Sequence, residues 1–291
     1  MIDETAAEIE AMQTHSSSVV AVKAAEALRE LFDREYPTVT EYLRDLERNS
    51  SALRRANTSH ASLHTTQQDI VESVDARDPE TLDAAFEATA EAIDRVIDEV
   101  TTAKEQAAAA AAEQFEDGDT ILTHDYSSTL LEAIELAARD GVHLDVYVTE
   151  ARPRYIGRKT VRTLAGIDRV TPKLLTDAAA GHVLDSCDRV AVGMTCIVDD
   201  QLYNRVGTFP IAATAAELGV PMTVVGSSTK IIDEGGFAFQ NEYRSATEVI
   251  REPVEGFEVV NPAYDSTPLH LVDTVITDEG VEDLSLLEDG L

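Results

Sequence analysis

The sequence predicts an α/β protein with a helical N-terminal domain and a Rossmann-like parallel sheet domain. Residues 1–115 carry apolar side chains at helical spacing, and no glycine occurs before Gly118. From residue 116 onward, short apolar runs alternate with helical stretches, which is typical of strand–helix–strand units. We therefore predict two domains, a helical domain 1–115 and a sheet domain 116–291.

The N-terminal domain is predicted to be a series of helices, because its apolar residues recur three and four positions apart. Breaks are expected at Tyr36-Pro37, Asn49-Ser50-Ser51 and Asp78-Pro79, where turn-forming residues interrupt this spacing. The last helix is predicted from about Pro79 to Phe115, a length that is common in helices bridging two domains.

The C-terminal domain is predicted to be a doubly wound parallel sheet. The predicted strands are Thr120–Thr123, Leu144–Thr149, Arg169–Leu174, Arg189–Gly193, Met222–Val225 and Val272–Thr277. The predicted helices between them are Ser127–Arg139, Tyr155–Ala165, Ala178–Leu184 and Gly207–Leu218. Because right-handed crossovers make such strands parallel, their C-terminal ends are expected at one edge of the sheet, where ligands bind in this class of fold.

The large excess of acidic over basic residues indicates a salt-rich environment and disfavours negatively charged partners. The formal net charge is −32, and only five of the 23 basic residues are lysines. Such a surface repels itself at low salt and is screened in concentrated salt, so we expect a halophilic cytoplasm. Direct binding of nucleic acid is not expected, because the phosphate backbone is also negative. No apolar stretch is long enough to span a bilayer, and the acidic N-terminus does not resemble a signal peptide.

The sequence lacks the short motifs of several common classes of binding site. Neither a Gly-x-Gly-x-x-Gly nor a Walker sequence is present, so no motif supports a dinucleotide or P-loop site. Cys187 and Cys196 can pair or remain two buried thiols, but alone they cannot bind zinc, and no metal ion or cofactor is expected. His124 ends the first strand and is typical of a structural histidine. Asp177 follows the third strand and is a functional candidate, with helix capping as the alternative.

Cationic residues follow several predicted strands at the C-terminal edge of the sheet. Arg152 follows the second strand, Arg205 the fourth and Lys230 the fifth. Gly207 and Thr208 open the next helix, and helix N–H groups and guanidinium groups bind phosphate. The residues therefore predict an anion pocket. The alternative is that hydroxyl residues here only cap helices, but it does not explain three cations in so acidic a chain.

The strand-end motifs, in their order, resemble one known family. It contains the alpha, beta and delta subunits of translation initiation factor 2B, ribose-1,5-bisphosphate isomerase and methylthioribose-1-phosphate isomerase. The resemblance runs from about Thr120 to Val281, and the helical N-terminal region fits the family's architecture. The motifs that carry it are ILTHDYSSTLLEAI, VYVTEARPRYIG, LLTDAAAG, YNRVGT and NPAYDSTP.

Two single positions and one three-residue motif depart from the pattern of the known isomerases. Their catalytic cysteine, in ILTHCN, corresponds to Asp125, and their catalytic aspartate, in a GADR-like motif, corresponds to Thr195. An Arg-Pro-Thr motif that helps to hold substrate phosphate is replaced by Asn57-Thr58-Ser59. Isomerisation requires groups of suitable acidity to move a proton, and a threonine cannot replace a carboxylate in that role.

From the resemblance and these departures we expect a non-catalytic regulatory subunit of the initiation factor 2B type, with a pocket for a phosphorylated sugar or nucleotide. The alternative is a divergent ribose-1,5-bisphosphate isomerase-like sugar-phosphate isomerase, with Asp125 and Asp177 as candidate catalytic residues. A purely structural oligomer subunit is a third hypothesis. The residues expected to bind ligand are Arg152, Asp177, Asn204, Arg205, Gly207, Thr208 and Lys230.

The resemblance also implies partners. We expect a homodimer or larger oligomer formed through the C-terminal domain, with initiation factor 2 as a candidate protein partner. The apolar content of Ile211–Leu218, Val259–Pro262 and Leu269–Ile276 favours such an interface, because monomers rarely expose large apolar patches.

Overall fold

The computed structural model describes residues 2–11, 16–232, 237–252 and 255–284. The chain divides into two compact units: unit 1 is Met1–Ala103 with Gly236–Phe239, and unit 2 is Lys104–Gly235 with Gln240–Leu291. This division falls inside one long helix, and the domain boundary expected between residues 115 and 116 stays a prediction. Within the described ranges, no helix combines the length and the apolar content that are needed to span a bilayer.

Unit 1 is built from helices. They are α1 (Ile2–Glu10), α2 (Ser17–Ala27), α3 (Val39–Ala56), α4 (Ala61–Ala76) and α5 (Leu82–Ala112), with a 3₁₀ helix at Leu28–Asp33. The helices bury one apolar core in which Tyr42 is fully buried. Its ring packs edge-on against Phe86, at 4.9 Å between ring centroids, and its hydroxyl donates to Thr89 Oγ1 at 2.7 Å. This bond matters because a buried hydroxyl without a partner is costly.

Two of the three predicted helix breaks are confirmed, and one is wrong. Tyr36-Pro37 and Asp78-Pro79 lie between helices, and Thr38 caps α3 by accepting the N–H of Glu41 at 3.2 Å. The break expected at Asn49-Ser50-Ser51 lies inside α3 instead. There the amide of Asn49 donates to the backbone oxygen of Asp45 at 2.7 Å, so its polar group is satisfied without ending the helix.

Unit 2 contains the predicted parallel sheet. Its strands are β1 (Thr120–His124), β2 (Leu144–Thr149), β3 (Val170–Leu175), β4 (Arg189–Gly193), β7 (Met222–Val225), β10 (Thr274–Thr277) and β11 (Gly280–Asp283). They are ordered β11-β10-β7-β4-β1-β2-β3, and every pair is parallel except β10 with β11. The fold class predicted from the sequence is therefore confirmed.

The helices of unit 2 follow the strands as the alternating pattern predicts. They are α6 (Ser128–Arg139), α7 (Gly157–Leu164), α8 (Ala180–Val183) and α9 (Thr208–Leu218). The central strand β4 is buried on both faces, since Val190 and Val192 join one apolar core and Ala191 joins another. A strand covered on both sides must be apolar at every position, which explains the uninterrupted Val-Ala-Val run.

A second, small sheet was not predicted from the sequence. It consists of β5 (Cys196–Val198), β6 (Gln201–Arg205), β8 (Ile231–Ile232) and β9 (Tyr264–Pro268), in the order β8-β5-β6-β9. A tight turn at Asp199-Asp200 joins β5 to β6, and these two residues adopt φ values of 49° and 58°. This hairpin places the C-terminal end of β6 beside the edge of the large sheet that follows β1.

Candidate functional site

One cavity of unit 2 is lined by four arginines, and we call it the arginine cavity. Its charged lining residues are Arg152, Arg154, Arg205, Arg244, Asp125 and Glu248. They come from four places: the end of β1, the loop after β2, the end of β6 and the segment before β9. The lining therefore holds two more positive than negative groups, in a chain whose net charge is −32. Such a local excess of guanidinium groups favours a phosphorylated ligand.

The ion pair between Asp125 and Arg205 forms one wall of this cavity. Oδ2 of Asp125 lies 2.9 Å from Nε of Arg205, and both side chains are about nine-tenths buried. The guanidinium also lies 4.8 Å from the centre of the Tyr264 ring. Burial alone lowers the pKa of Arg205, but the charge of Asp125 and the Tyr264 hydroxyl outweigh it and the net shift is upward. Arg205 therefore stays charged beside the carboxylate.

Two buried atoms of this ion pair lack a hydrogen-bond partner. Oδ1 of Asp125 and Nη1 of Arg205 bond to no atom of the described residues. An unpaired buried acceptor or donor costs about 1–3 kcal/mol, and more when it is charged. Such buried atoms occur at catalytic, ligand-binding and water-binding positions, so the two atoms make this wall a candidate for polar binding.

Arg154 and Arg244 share a single carboxylate on the opposite part of the lining. Oε1 of Glu248 lies 3.0 Å from Nη2 of Arg244 and 3.9 Å from Nε of Arg154. Burial, followed by repulsion from Arg244 and Arg205, lowers the pKa of Arg154. The arginines are therefore crowded enough to repel one another, and an added anion would relieve that repulsion.

Asp177 holds the loop that carries Arg152. Its two carboxylate oxygens accept the backbone N–H groups of Ala151 and Arg152, each at 2.7 Å. The side chain of Arg152 donates to the carbonyl oxygen of Val249 at 3.2 Å and lies 5.2 Å from the ring centre of Tyr155. Asp177 thus anchors the backbone at the cavity, and its predicted catalytic role stays a prediction.

The N-terminus of α9 is capped by a carboxylate of the same chain. Oδ2 of Asp265 accepts the N–H groups of Gly207 at 2.6 Å and of Phe209 at 3.2 Å. Thr208 Oγ1 donates to the Arg205 carbonyl at 2.7 Å and accepts from Asn204 Nδ2 at 3.3 Å. These contacts position the Arg205 backbone, and the predicted direct binding of phosphate by this helix start would require displacement of Asp265.

Lys230 lies outside the lining of the arginine cavity. It is 6% exposed and donates to the Met194 carbonyl at 3.2 Å. Burial lowers its pKa to about 8, which neighbouring Lys104 reinforces and Cys196 opposes. Of the three cations that the sequence assigns to one anion pocket, the structure brings Arg152 and Arg205 to the same cavity and turns Lys230 elsewhere.

His124 has the structural role that the sequence favours. Its Nε2 lies 2.9 Å from the Val206 carbonyl, and its Nδ1 lies 2.6 Å from Thr149 Oγ1. The next residue, Gly207, has a φ of +110°, and a Cβ there would lie 2.7 Å from the imidazole. The histidine therefore fixes the backbone directly after Arg205, and only glycine fits against it.

Both cysteines are free and buried, as the thiol alternative predicts. Burial raises the pKa of Cys187 to about 11 and that of Cys196 to about 12. At neutral pH both are thiols, which are poor nucleophiles and poor metal ligands.

Sequence reasoning missed Arg154, Arg244, Glu248 and Tyr264. Arg154 is separated from the predicted Arg152 only by Pro153, so the Arg-Pro-Arg spacing was an available signal. Arg244 and Glu248 carried no such signal, because they belong to a segment without regular strands or long helices. Their approach to the cavity depends on the folded path of the chain.

Comparison with known proteins places the chain in one family. The model of the initiation factor 2 subunit family (IF-2B) matches residues 13–283. A ribose 1,5-bisphosphate isomerase of Haloterrigena turkmenica is 32% identical over 95% of this chain and 88% of its own length.

Solved structures share the fold. The Pyrococcus horikoshii translation initiation factor eIF-2B has a TM-score of 0.82 at 24% identity, with 96% of each chain covered. A tetrameric eIF2B-beta2-delta2 complex from C. thermophilum has a TM-score of 0.72 at 20% identity, covering 99% of this chain and 92% of the other. The resemblance inferred from the strand-end motifs is therefore confirmed, and the chain belongs to the initiation factor 2 subunit family.

Proposed function

We propose that this chain binds a phosphorylated sugar in the arginine cavity and interconverts its aldose and ketose forms. Asp125 moves the proton, and the arginines hold the phosphate. The relative named ribose 1,5-bisphosphate isomerase supports a pentose bisphosphate as the substrate. The isomerase, which the sequence offers as the alternative, is thus preferred over the first expectation of a non-catalytic subunit.

The observation that carries the proposal is the asymmetric environment of the Asp125 carboxylate. Arg205 holds Oδ2 at 2.9 Å, whereas Oδ1 is buried, faces no donor among the described residues and belongs to a residue of the cavity lining. One oxygen thus orients the group and the other can accept a proton. A general base needs this combination of fixed position and an open lone pair.

The chemistry requires a proton to leave one sugar carbon and to arrive at its neighbour. Oδ1 of Asp125 takes the proton from C2 and returns it to C1. The ring bond between C1 and O4 breaks, and O4 gains the proton that the C2 hydroxyl loses as C2 becomes the ketone, so atoms and electrons balance. Negative charge develops on the sugar oxygen between these steps. The guanidinium of Arg205 contacts Asp125 at 2.9 Å and has a buried Nη1 without a partner among the described residues, so it is the cation that we assign to this oxyanion.

The charge of the cavity supports a phosphate. Its lining carries an excess of two positive charges, and a phosphate monoester carries about −1.5 to −2 at neutral pH. Binding would therefore bring the local charge close to zero. Arginine is suited to this role because its planar guanidinium can donate two parallel hydrogen bonds to phosphate oxygens.

The experiment is to incubate the wild-type protein with ribose 1,5-bisphosphate in molar potassium chloride. Nuclear magnetic resonance of the mixture detects the ketose product, and calorimetric titration of the same sample measures binding. We expect both binding and product. Binding without any product would contradict the isomerase and favour the second candidate.

The second candidate is a ligand-binding regulatory subunit without catalysis. It is favoured by Thr195, which the resemblance aligns with the family's catalytic aspartate and which lacks a carboxylate. Its backbone N–H donates to the Tyr203 carbonyl at 3.0 Å. A lone carboxylate can still move a proton both ways, and this consideration ranks the isomerase first. Initiation factor 2 is the protein partner that the second candidate implies.

A homodimer or larger oligomer is part of the proposal for both candidates. The related tetrameric complex supports it. The predicted interface needs revision, since Ile211, Val275 and Ile276 are buried in the cores of unit 2 itself. Within the predicted stretches, Val260 is 73% exposed and Leu218 is 45% exposed, so these two residues stay available for contact.

A further inference from the structure

Glu248 occupies a position between two arginines of the arginine cavity. Its Oε1 accepts two hydrogen bonds from Arg244, from Nη2 at 3.0 Å and from Nε at 3.4 Å, and lies 3.9 Å from Nε of Arg154. Its Oε2 accepts from the amide of Asn261 at 3.3 Å. Oε1 of Glu248 therefore accepts two hydrogen bonds from one edge of the Arg244 guanidinium and also lies close to the guanidinium of Arg154.

This arrangement resembles the way in which arginines hold a phosphate oxygen. Guanidinium groups bind an oxyanion through paired N–H donors, whether it belongs to a carboxylate or a phosphate. A carboxylate supplies only one negative charge, and the pKa of Arg154 is lowered by burial and then by the neighbouring arginines Arg244 and Arg205. Two guanidinium groups and the one carboxylate of Glu248 carry a formal charge of +1 together.

We propose that Glu248 is an internal competitor, which occupies a phosphate subsite formed by Arg154 and Arg244 until a phosphate of the ligand displaces it. The ligand class is a phosphate monoester. This inference rests on the proposed function, because it takes the arginine cavity to be the site of a phosphorylated sugar.

The local structure permits the displacement. The Glu248 side chain is 22% exposed, whereas Asp125 on the other wall is 10% exposed. Glu248 ends a single 3₁₀ turn, Ala246–Glu248, which packs no buried side chain of its own. Its carboxylate can therefore leave the two guanidinium groups for water without unfolding a regular element, and a phosphate with nearly two charges replaces it favourably.

The opposite role for Glu248 makes the opposite prediction. If the carboxylate serves to align Arg244 and Arg154 for the ligand, its loss weakens phosphate binding. If it competes with the ligand, its loss strengthens binding.

The experiment compares Glu248→Gln with Glu252→Gln. Glutamine keeps the shape of Glu248 and can keep the contact to Asn261, but removes the charge. Glu252 is an exposed carboxylate of the same segment, so Glu252→Gln makes an equal change in net charge away from the arginines. Each protein, and the wild type, is titrated calorimetrically with inorganic phosphate and with ribose 1,5-bisphosphate in molar potassium chloride.

We expect Glu248→Gln to bind both ligands about threefold more tightly than Glu252→Gln, the scale of a partly exposed ion pair. Equal affinities in the two variants, or weaker binding by Glu248→Gln, would overturn the competitor role while leaving the proposed phosphate site intact. Absence of binding by all three proteins would overturn both the competitor role and the phosphate site, so the two failures are distinguishable.

Discussion

The carboxylate of Asp125 and the guanidinium of Arg205 meet at 2.9 Å, although 80 positions separate them in the chain. Asp125 directly follows the first strand of the large sheet, and Arg205 ends a strand of the small sheet. The pair therefore forms only when both sheets are folded. The pair matters for both stability and the candidate chemistry. One oxygen of Asp125 pairs with Arg205, and the other accepts no hydrogen bond from the described residues.

Replacing Arg205 should destabilise the protein strongly. Arg205→Met leaves the Asp125 charge buried without its ion-pair partner, which costs about 3–5 kcal/mol in the free energy of unfolding. Adding Asp125→Asn to this variant should recover part of the loss, because the uncompensated charge is gone. Urea unfolding measures both. The control is Arg139→Met, which removes an exposed ion pair with Glu135 and should cost less than about 1 kcal/mol. Equal losses in the two single variants would contradict the account.

Replacing Arg152 should weaken ligand binding more than folding. Arg152→Ala removes a cation from the cavity lining, and a hydrogen bond to a charged group is worth about 1.5–3 kcal/mol. We expect the dissociation constant for ribose 1,5-bisphosphate to rise about tenfold or more, measured by calorimetric titration. Arg162→Ala, an exposed arginine of α7, is the matched control. If both variants lose affinity equally, general electrostatics rather than Arg152 accounts for binding.

Lys230 should make stability depend on pH. Burial lowers its pKa in the folded state to about 8 from 10.5, so between these values the unfolded chain binds the proton more strongly. Lys230 therefore lowers the free energy of unfolding below pH 8, and this loss disappears as the pH rises towards 10.5. The burial cost at neutral pH is about 3 kcal/mol.

The test of the Lys230 effect compares Lys230→Met with the wild type in urea at pH 7 and pH 10. The raised pKa values of the buried thiols and tyrosines act in the opposite direction, so the difference between the two proteins is the relevant quantity. We expect the stability of the variant relative to the wild type to fall by about 2–3 kcal/mol between these pH values. A difference that does not change with pH would refute the lowered pKa.

Salt should stabilise the whole chain. At a net charge of −32, repulsion acts over a Debye length of about 30 Å at 0.01 M salt but only about 3 Å at 1 M. We expect the melting temperature to rise steeply with potassium chloride concentration, as light scattering and circular dichroism can follow. A melting temperature independent of salt would contradict the expected halophilic character.

The large sheet could be predicted because its inner strands β1, β4 and β7 are buried at nearly every position. Strands β2, β4 and β7 begin and end at the predicted residues. β4 and β7 are nearly continuous apolar runs, and in β2 buried positions alternate with half-buried ones. The small sheet could not, because β9 has the sequence YDSTP and is polar at several positions. It pairs with β6, some 60 residues earlier, and no local pattern shows such pairing.

The candidate site was predictable where it depends on the ends of regular strands. Asp125 and Arg152 meet because β1 and β2 are parallel neighbours that end at one edge of the large sheet, whereas Arg205 reaches them on the unpredicted hairpin of β5 and β6. Arg244 and Glu248 were not predictable, since an irregular segment brings them to the cavity. Lys230 was predicted in the cavity because it follows the expected strand. The 3₁₀ turn Ser228–Lys230 instead directs its amine to the Met194 carbonyl.

The role of Asp125 in proton transfer is tested by the turnover number of Asp125→Asn with ribose 1,5-bisphosphate, beside the wild type and Asp168→Asn. Asp168 is an exposed carboxylate of unit 2 and controls for the loss of one charge. General acid–base catalysis contributes typically about 10²–10⁴-fold, so we predict a loss of that size for Asp125→Asn, with a folded protein that still binds phosphate. Turnover by Asp125→Asn at the rate of Asp168→Asn would contradict the assignment of Asp125 as the group that moves the proton.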